Sequence, residues 1–317
     1  MATYSPLDFS RYGDRVFSRF AEQFPHAQRR RLLLDQALSA EHFAQIRAHM
    51  LSYLGAVLGA SKPLTEDEAI AALLAKRGAL PSYTRGGMLA PTREHTLEFN
   101  ALHQSVAAAV SQYVMPDQVD GIDLPINVRL VYGETDATRN NAPFSSTKLH
   151  SDVWAGVPMD AIVCVLPVLG DIDNLTIECC EMEPQEELAA MHAFAAYDDA
   201  NPQITPSKWY SDAAMQLGHL YLADVRLLHR TIRRQSRGAR VSIDFRLRYN
   251  DATYRSMLPE VGGTGPDAAD TRVPYPEWQR VGREKLIVFD QSLADLGSGI
   301  TSSSPVNTAS YRLMPLW

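Results

Sequence analysis

The segment Arg240-Val-Ser-Ile-Asp-Phe-Arg-Leu-Arg-Tyr249 alternates without a break. Val241, Ile243, Phe245, Leu247 and Tyr249 fall on one side of an extended chain, and Arg240, Ser242, Asp244, Arg246 and Arg248 on the other. A strand, with its two-residue side-chain period, keeps these sets apart; a helix would mix them. A strand with one apolar face needs a second layer to cover it, which restricts the chain to a sheet-based architecture. Periodicity leaves two readings of the polar face open. Either it lies in water at a sheet edge, or, with helices on the apolar face, it lines an interior suited to charged ligands.

Shorter strand-like segments precede it at 127–132, 161–166, 175–180, 219–222 and 227–232, separated by turn residues such as Gly133, Pro158, Gly170-Asp171, Asp224 and Gly238. The chain before residue 120 reads differently. Phe43, Ile46, Met50, Leu51 and Leu54 recur at helical spacing. Thr65 followed by Glu66-Asp67-Glu68 caps a second helix, and a third lies around 98–114. Pro184 followed by Glu186 and Glu187 opens a helical insertion near 184–210. Helices followed by a run of strands indicate an α+β fold with an antiparallel barrel or sandwich. The expected organisation is a single domain over 1–317. Its parts are a mainly helical 1–120, a strand core at 121–250, and a loop-rich 251–317 with one short strand near Lys285–Phe289.

The 317 residues are 45% hydrophobic, enough for a core without disulfides or a structural metal. A net charge of −7 gives no reason to expect nucleic acid or an anionic membrane as partner. Three cysteines, Cys164, Cys179 and Cys180, form no disulfide framework or CxxC site and read as buried thiols. The first residues carry no charged-then-apolar leader, and apolar runs such as 161–170 are too short to span a bilayer. A cytoplasmic enzyme is the expectation. Arg29-Arg30-Arg31 and Arg233-Arg234 read as solvated helix faces or loops. No HExxH, GxSxG, P-loop or GxGxxG occurs, so zincin, hydrolase and nucleotide-binding readings lack support.

His150-Ser151-Asp152 introduces metal chemistry. Residues i and i+2 of an extended chain point the same way, so both side chains can reach one ion. A histidine from a neighbouring strand would complete two imidazoles and one carboxylate on one octahedral face, leaving positions open on iron(II). With nine histidines and 37 acidic residues in 317, about one His-x-Asp/Glu is expected by chance. The pair gains weight from three residues downstream: His229 in a strand-like segment, then Arg240 eleven positions later, then Ser242. The remaining histidines lack ligand spacing and read as ordinary surface or core residues.

His-x-Asp, a distant His, and Arg-x-Ser about ten residues on is the pattern of the iron(II)/2-oxoglutarate-dependent dioxygenase superfamily. Residues 125–250 resemble it through His150, Asp152, His229, Arg240 and Ser242. The resemblance implies a double-stranded β-helix (jelly-roll) core with the helical N-terminal region packed outside. It implies iron(II), 2-oxoglutarate and O2 as requirements, with succinate and carbon dioxide as co-products. His150, Asp152 and His229 would be the catalytic metal ligands, and Arg240 would bind the distal carboxylate of 2-oxoglutarate with Ser242 assisting. Halogenating relatives lack the carboxylate, so Asp152 points to hydroxylation, desaturation or ring closure. The expected substrate is a small polar molecule, such as an amino acid or a natural-product intermediate. Arg129, Trp154 and Arg246 are the candidates to touch it, with packing the competing role for Trp154 and pairing with Asp244 the competing role for Arg246. Two other classes stay open: a cupin-type metal dioxygenase or isomerase without 2-oxoglutarate, and a non-catalytic jelly-roll binding module whose His and Asp satisfy each other.

Overall fold

The computed structural model describes residues 6–77, 79–80, 83, 87–115, 117–123, 125–133, 142–211, 214–234 and 237–250, and short strands at 278–280, 285–289 and 311–315. Its helices are α1 (Pro6–Ala21), α2 (Ala40–Leu58), α3 (Glu66–Ala75), α4 (Thr96–Ser111), α5 (Pro184–Ala190) and α6 (Tyr197–Ala200). Local chemistry sets their ends. The Ser39 side chain accepts the His42 N–H to start α2, and Gly59, at φ 67°, ends it. Thr65 and Glu68 form a reciprocal capping box at α3.

The strands are β1 (Gln28–Arg30), β2 (Leu33–Ala37), β3 (Met88–Leu89), β4 (Val119–Asp123), β5 (Asn127–Tyr132), β6 (Ala161–Gly170), β7 (Leu175–Met182), β8 (Pro206–Trp209), β9 (His219–Asp224), β10 (Leu228–Arg233), β11 (Ala239–Tyr249), β12 (Trp278–Arg280), β13 (Lys285–Phe289) and β14 (Tyr311–Pro315). Every pairing between these strands is antiparallel. The large sheet runs β1-β2-β9-β6-β11, and the far edge of β11 is shared by β5 along Ala239–Asp244 and β4 along Leu247–Tyr249. A second sheet runs β10-β7-β8.

The packing of β11 decides between the two environments open to its polar face. Val241, Ile243, Phe245 and Leu247 join Ile162, Cys164 and Leu166 of β6 and side chains from α1, α2, α3 and α4 in one buried core. Helices therefore cover the apolar face, and the opposite face turns toward the second sheet. The polar face is not in water: Arg240 and Ser242 are fully buried. A separate core of Val163, Cys180, Met182 and Leu228, with Trp154 and Tyr197, fills the space between the sheets. Pro167 has no N–H to give a central strand, and the β6–β11 register shifts there, Val241 facing Leu169 and Ser242 facing Pro167.

The first third is not all helical, as β1 and β2 show. Arg29-Arg30-Arg31 is no solvated helix face: Arg29 and Arg30 lie on β1. Arg31 pairs with Asp14 (2.9 Å), Glu181 (3.0 Å) and Glu187 (2.7 Å). The fully buried Arg226 joins this network through Asp224 (2.8 Å), Glu187 (2.9 Å) and Asp14 (3.2 Å), tying α1 and α5 to the turn between β9 and β10. Arg233 belongs to β10, and Arg234 donates to the Asp173 carbonyl. In the C-terminal part the expected strand at Lys285–Phe289 is present and pairs with β14; the loops expected around it lie outside the described residues. No described helix is long and apolar enough to cross a membrane.

Candidate metal centre

His150 and His229 exchange both backbone hydrogen bonds (N–H to O, 3.0 and 2.8 Å), so an isolated antiparallel bridge adds the His150 segment to the edge of β10. Ser151 is extended (φ −103°, ψ 144°), and Asp152 opens a 3-10 turn at Asp152–Ala155. The i, i+2 relation thus brings His150 and Asp152 to one side, and the bridge delivers His229. One donor atom from each of the three lies within 4.8 Å of the others; among the described residues this is the one such cluster of His, Cys, Asp or Glu.

The imidazoles are oriented by backbone carbonyls. His150 Nδ1 faces the Lys148 carbonyl at 2.7 Å, and His229 Nδ1 faces that of Leu227 at 3.2 Å. A carbonyl only accepts, so each Nδ1 carries the proton and each Nε2 presents its lone pair. The Nε2 atoms sit 3.9 Å (His150) and 3.7 Å (His229) from Asp152 Oδ1, too far for hydrogen bonds. The three groups converge without satisfying one another. Two imidazoles and a carboxylate with fixed tautomers suit iron(II) or a similar divalent ion.

Electrostatics favour the ligating forms. Burial, reinforced by His229, lowers His150 to about 3, which keeps it neutral. Burial alone would raise Asp152, but Arg246 first, then His229, His150 and Arg129, hold it below its ordinary value. Arg246 lies between two carboxylates: Nη2 is 3.5 Å from Asp152 Oδ2, and Nη1 is 3.6 Å from Asp123 Oδ2. Asp244 pairs with Arg129. Both arginines line the cleft over His150, Asp152 and His229, yet each is engaged with a carboxylate.

Arg240 differs. It is fully buried and lines the same cleft. Its Nη1 donates to the Leu175 carbonyl (2.5 Å) and touches Met215 Sδ (3.3 Å), while Nε has no hydrogen-bond partner. No carboxylate of the described residues forms an ion pair with it, and burial lowers it to about 10. Ser242 is fully buried beside Arg240, and its hydroxyl donates to Asp244 Oδ1 (3.3 Å). Trp154 is outside the cleft. Its indole N–H donates to the Ala190 carbonyl (2.9 Å) and its ring meets Phe194 edge-on, which makes it a packing residue between the 3-10 turn and α5.

Sequence reasoning missed several residues around the site. Tyr197, at the start of α6, stacks on His150 with ring centroids 4.2 Å apart and planes 12° from parallel, and it lines the cleft. Lys148 fixes this arrangement from both sides, through its carbonyl to His150 and its ammonium to Asp198 of α6. Asp123, which also accepts the Arg246 backbone N–H (2.9 Å), ends a short strand interrupted by Gly121. Tyr197 had no pattern to reveal it, since its partner is 47 positions away in a non-repeating insertion.

No protein-family model matches the chain, and no curated protein does. Solved structures with a similar arrangement include the non-heme alpha ketoglutarate dependent epimerase SnoN from nogalamycin biosynthesis (14% identity, TM-score 0.38, covering 80% of this chain and 92% of that one). AviO1 from Streptomyces viridochromogenes Tue57 gives 14% identity and a TM-score of 0.37, covering 74% and 95%. An N-substituted L-amino acid dioxygenase from Burkholderia ambifaria AMMD gives 14% and 0.32, covering 75% and 91%. Likeness this distant carries no weight for the chemistry, which rests on the side chains described above.

Proposed function

We propose that the chain is a non-haem iron(II)/2-oxoglutarate-dependent oxygenase, one domain with a jelly-roll core, acting on a small polar molecule such as an amino acid or a natural-product intermediate. The carrying observation is Arg240, a buried guanidinium without an ion-pair partner among the described residues, in the cleft that holds His150, Asp152 and His229. A buried cation is costly unless something anionic meets it, and the distal carboxylate of 2-oxoglutarate is the right group.

On this reading His150 and His229 present Nε2 and Asp152 presents Oδ1 to the metal, while Arg246 occupies the other carboxylate oxygen. Arg240 grips the co-substrate through its charge and its unpartnered Nε–H. Ser242 acts one step back, on Asp244. Tyr197 and Phe144, packed edge to face at 5.1 Å, form an aromatic wall that keeps water from the ligands. Bound iron(II) would let dioxygen, as the four-electron oxidant, couple oxidative decarboxylation of 2-oxoglutarate to succinate and carbon dioxide with oxidation of a substrate C–H bond, as hydroxylation, desaturation or ring closure. Arg129 and Arg246 contribute positive potential where the substrate enters.

Iron-loaded protein, screened with amino acids and related polar metabolites, is expected to convert 2-oxoglutarate to succinate. Arg240→Ala is expected to weaken 2-oxoglutarate binding by about 10²–10³-fold, as loss of a buried charge-assisted contact does. Iron-loaded protein that forms no succinate under any of these conditions, or an Arg240→Ala variant that binds 2-oxoglutarate like wild type, overturns the proposal.

A further inference from the structure

The inner face of the large sheet changes character from one side to the other. On β11 it carries Arg240, Asp244 and Arg246. One strand over, on β6, it carries Val163 and Val165, which line the same cleft. A single cross-strand row then continues Arg246, Val163, Ala223, Leu33 across β11, β6, β9 and β2. On β6, β9 and β2 this row is hydrocarbon, and charge returns only at Arg30 on the edge strand β1.

Over this apolar half lies a second cavity. It shares Val163, Val165, Ile177 and His229 with the polar cleft and extends beyond them to Ala223 and Leu33. No charged side chain lines it. The Tyr221 hydroxyl at its border is already spent, donating to the Ala214 carbonyl (3.1 Å) and accepting from the Gln216 N–H (2.8 Å). Its volume is about 40 Å³, whereas one water needs only about 10–15 Å³. A chamber this size, hydrocarbon apart from the Cys179 and Met215 sulfurs, the engaged Tyr221 hydroxyl and the His229 ring, is a poor site for an ion. It is a good one for a molecule of a few atoms that is neutral and apolar.

We infer that this chamber is a binding and entry site for dioxygen, which reaches His150, Asp152 and His229 past the His229 ring. The inference rests on the oxygenase reading above. Of the three reactants in that reading, 2-oxoglutarate is a dianion and the organic substrate is polar. Dioxygen alone matches the lining. Separate routes have a physical benefit: the polar cleft can be filled by co-substrate and substrate while the apolar path stays open.

Xenon, also small, apolar and polarisable, is the probe. Crystals of the metal-free wild-type protein under xenon pressure are expected to show an atom in contact with Val163, Val165 and Ile177, and Ala223→Leu crystals none. In the iron-loaded enzyme, Ala223→Leu and the smaller Ala223→Val are expected to raise KM for oxygen, by about five- to tenfold for Leu, with KM for 2-oxoglutarate unchanged. Unaltered 2-oxoglutarate binding certifies that each variant is folded. No xenon in the wild-type chamber overturns the inference, as does bound xenon with KM for oxygen unchanged in both variants. A rise confined to KM for the organic substrate also overturns it, by assigning the chamber to an apolar part of that substrate. Failure of the oxygenase reading is separately visible as no 2-oxoglutarate turnover in wild type; it would remove the dioxygen assignment even with xenon bound.

Discussion

Arg246 Nη2 lies 3.5 Å from Asp152 Oδ2, while Asp152 Oδ1 faces the ring nitrogens of His150 and His229. The two oxygens of one carboxylate thus serve different partners, which favours the ionised form of Asp152 and, on the proposed function, leaves a single oxygen for a metal. Arg246→Leu removes the charge and frees the carboxylate to rotate. Affinity for Mn(II), measured by titration calorimetry, is expected to fall about 10–100-fold, the range for losing a partner of a metal ligand. Arg246→Lys should restore part of the loss, since it keeps the charge without the planar fork. Undiminished affinity in Arg246→Leu would show that Asp152 needs no such support.

The same arginine leans on Asp123, whose carboxyl burial raises from 3.8 to about 6 despite Arg246. Between those values the folded protein holds a proton that the unfolded chain has released, so this group lowers stability as pH rises through that window. Asp123→Asn removes the titration. Going from about pH 4 to about pH 7, the variant should gain about 2–3 kcal/mol relative to wild type, at roughly 1.4 kcal/mol per pH unit. Urea unfolding of both metal-free proteins across this range checks it; a difference that is flat or of opposite slope contradicts the assignment.

Arg240 sets binding against stability. Burial lowers its pKa to about 10, well below the usual guanidinium value, and so disfavours the charged form by about 3 kcal/mol. Arg240→Met keeps much of the length and drops the charge. Ligand-free Arg240→Met is expected to be more stable than wild type by about 1–3 kcal/mol, the lost contact to the Leu175 carbonyl taking back part of the gain. Added 2-oxoglutarate with Mn(II) should raise the melting temperature of wild type beyond the metal's own effect, and that of the variant no further. Destabilisation of the ligand-free variant would mean that the Leu175 contact outweighs the buried charge.

How much of the fold and site was legible in the sequence depended on how far each signal extended. The alternation over Arg240–Tyr249 identified a strand and sorted its side chains correctly. It could not say which face was dry, because that depends on helices more than 100 positions earlier. His150 and Asp152 were legible because ligand geometry demands a fixed local spacing, and His229 because it sits on a strand. Ser242 was assigned to the co-substrate by the resemblance, yet its hydroxyl turns to Asp244. Trp154 follows Asp152 by two, but the 3-10 turn at Asp152 ends the extended alternation and rotates the indole into the core. β1 and β2 were hidden by three successive arginines, of which Arg31 finds its partners on β7, α5 and α1. Short-range signals reveal strands and spacing; partners supplied by distant segments do not show.

Gly13 owes its role to such a distant partner. It lies within α1, where replacing Gly by Ala normally stabilises a helix by about 1 kcal/mol. Here an added Cβ would lie 2.4 Å from Arg226 Cζ and 2.5 Å from Nη1. A long side chain usually swings aside from such a clash at little cost. Arg226 is not free to do so: it is fully buried, with its guanidinium held by Asp224, Glu187, Asp14 and the Ser10 carbonyl. Displacing it takes from Asp224 its ion-pair partner and from the fully buried Glu187 one of its two arginines. Gly13→Ala is therefore expected to destabilise the protein by about 2–4 kcal/mol, as breaking a buried ion pair does. Circular dichroism of an isolated α1 peptide with the same substitution should show more helix, not less. The opposite signs in peptide and protein separate the tertiary effect from intrinsic propensity, and a stabilised full-length variant would refute the close packing of α1 on Arg226.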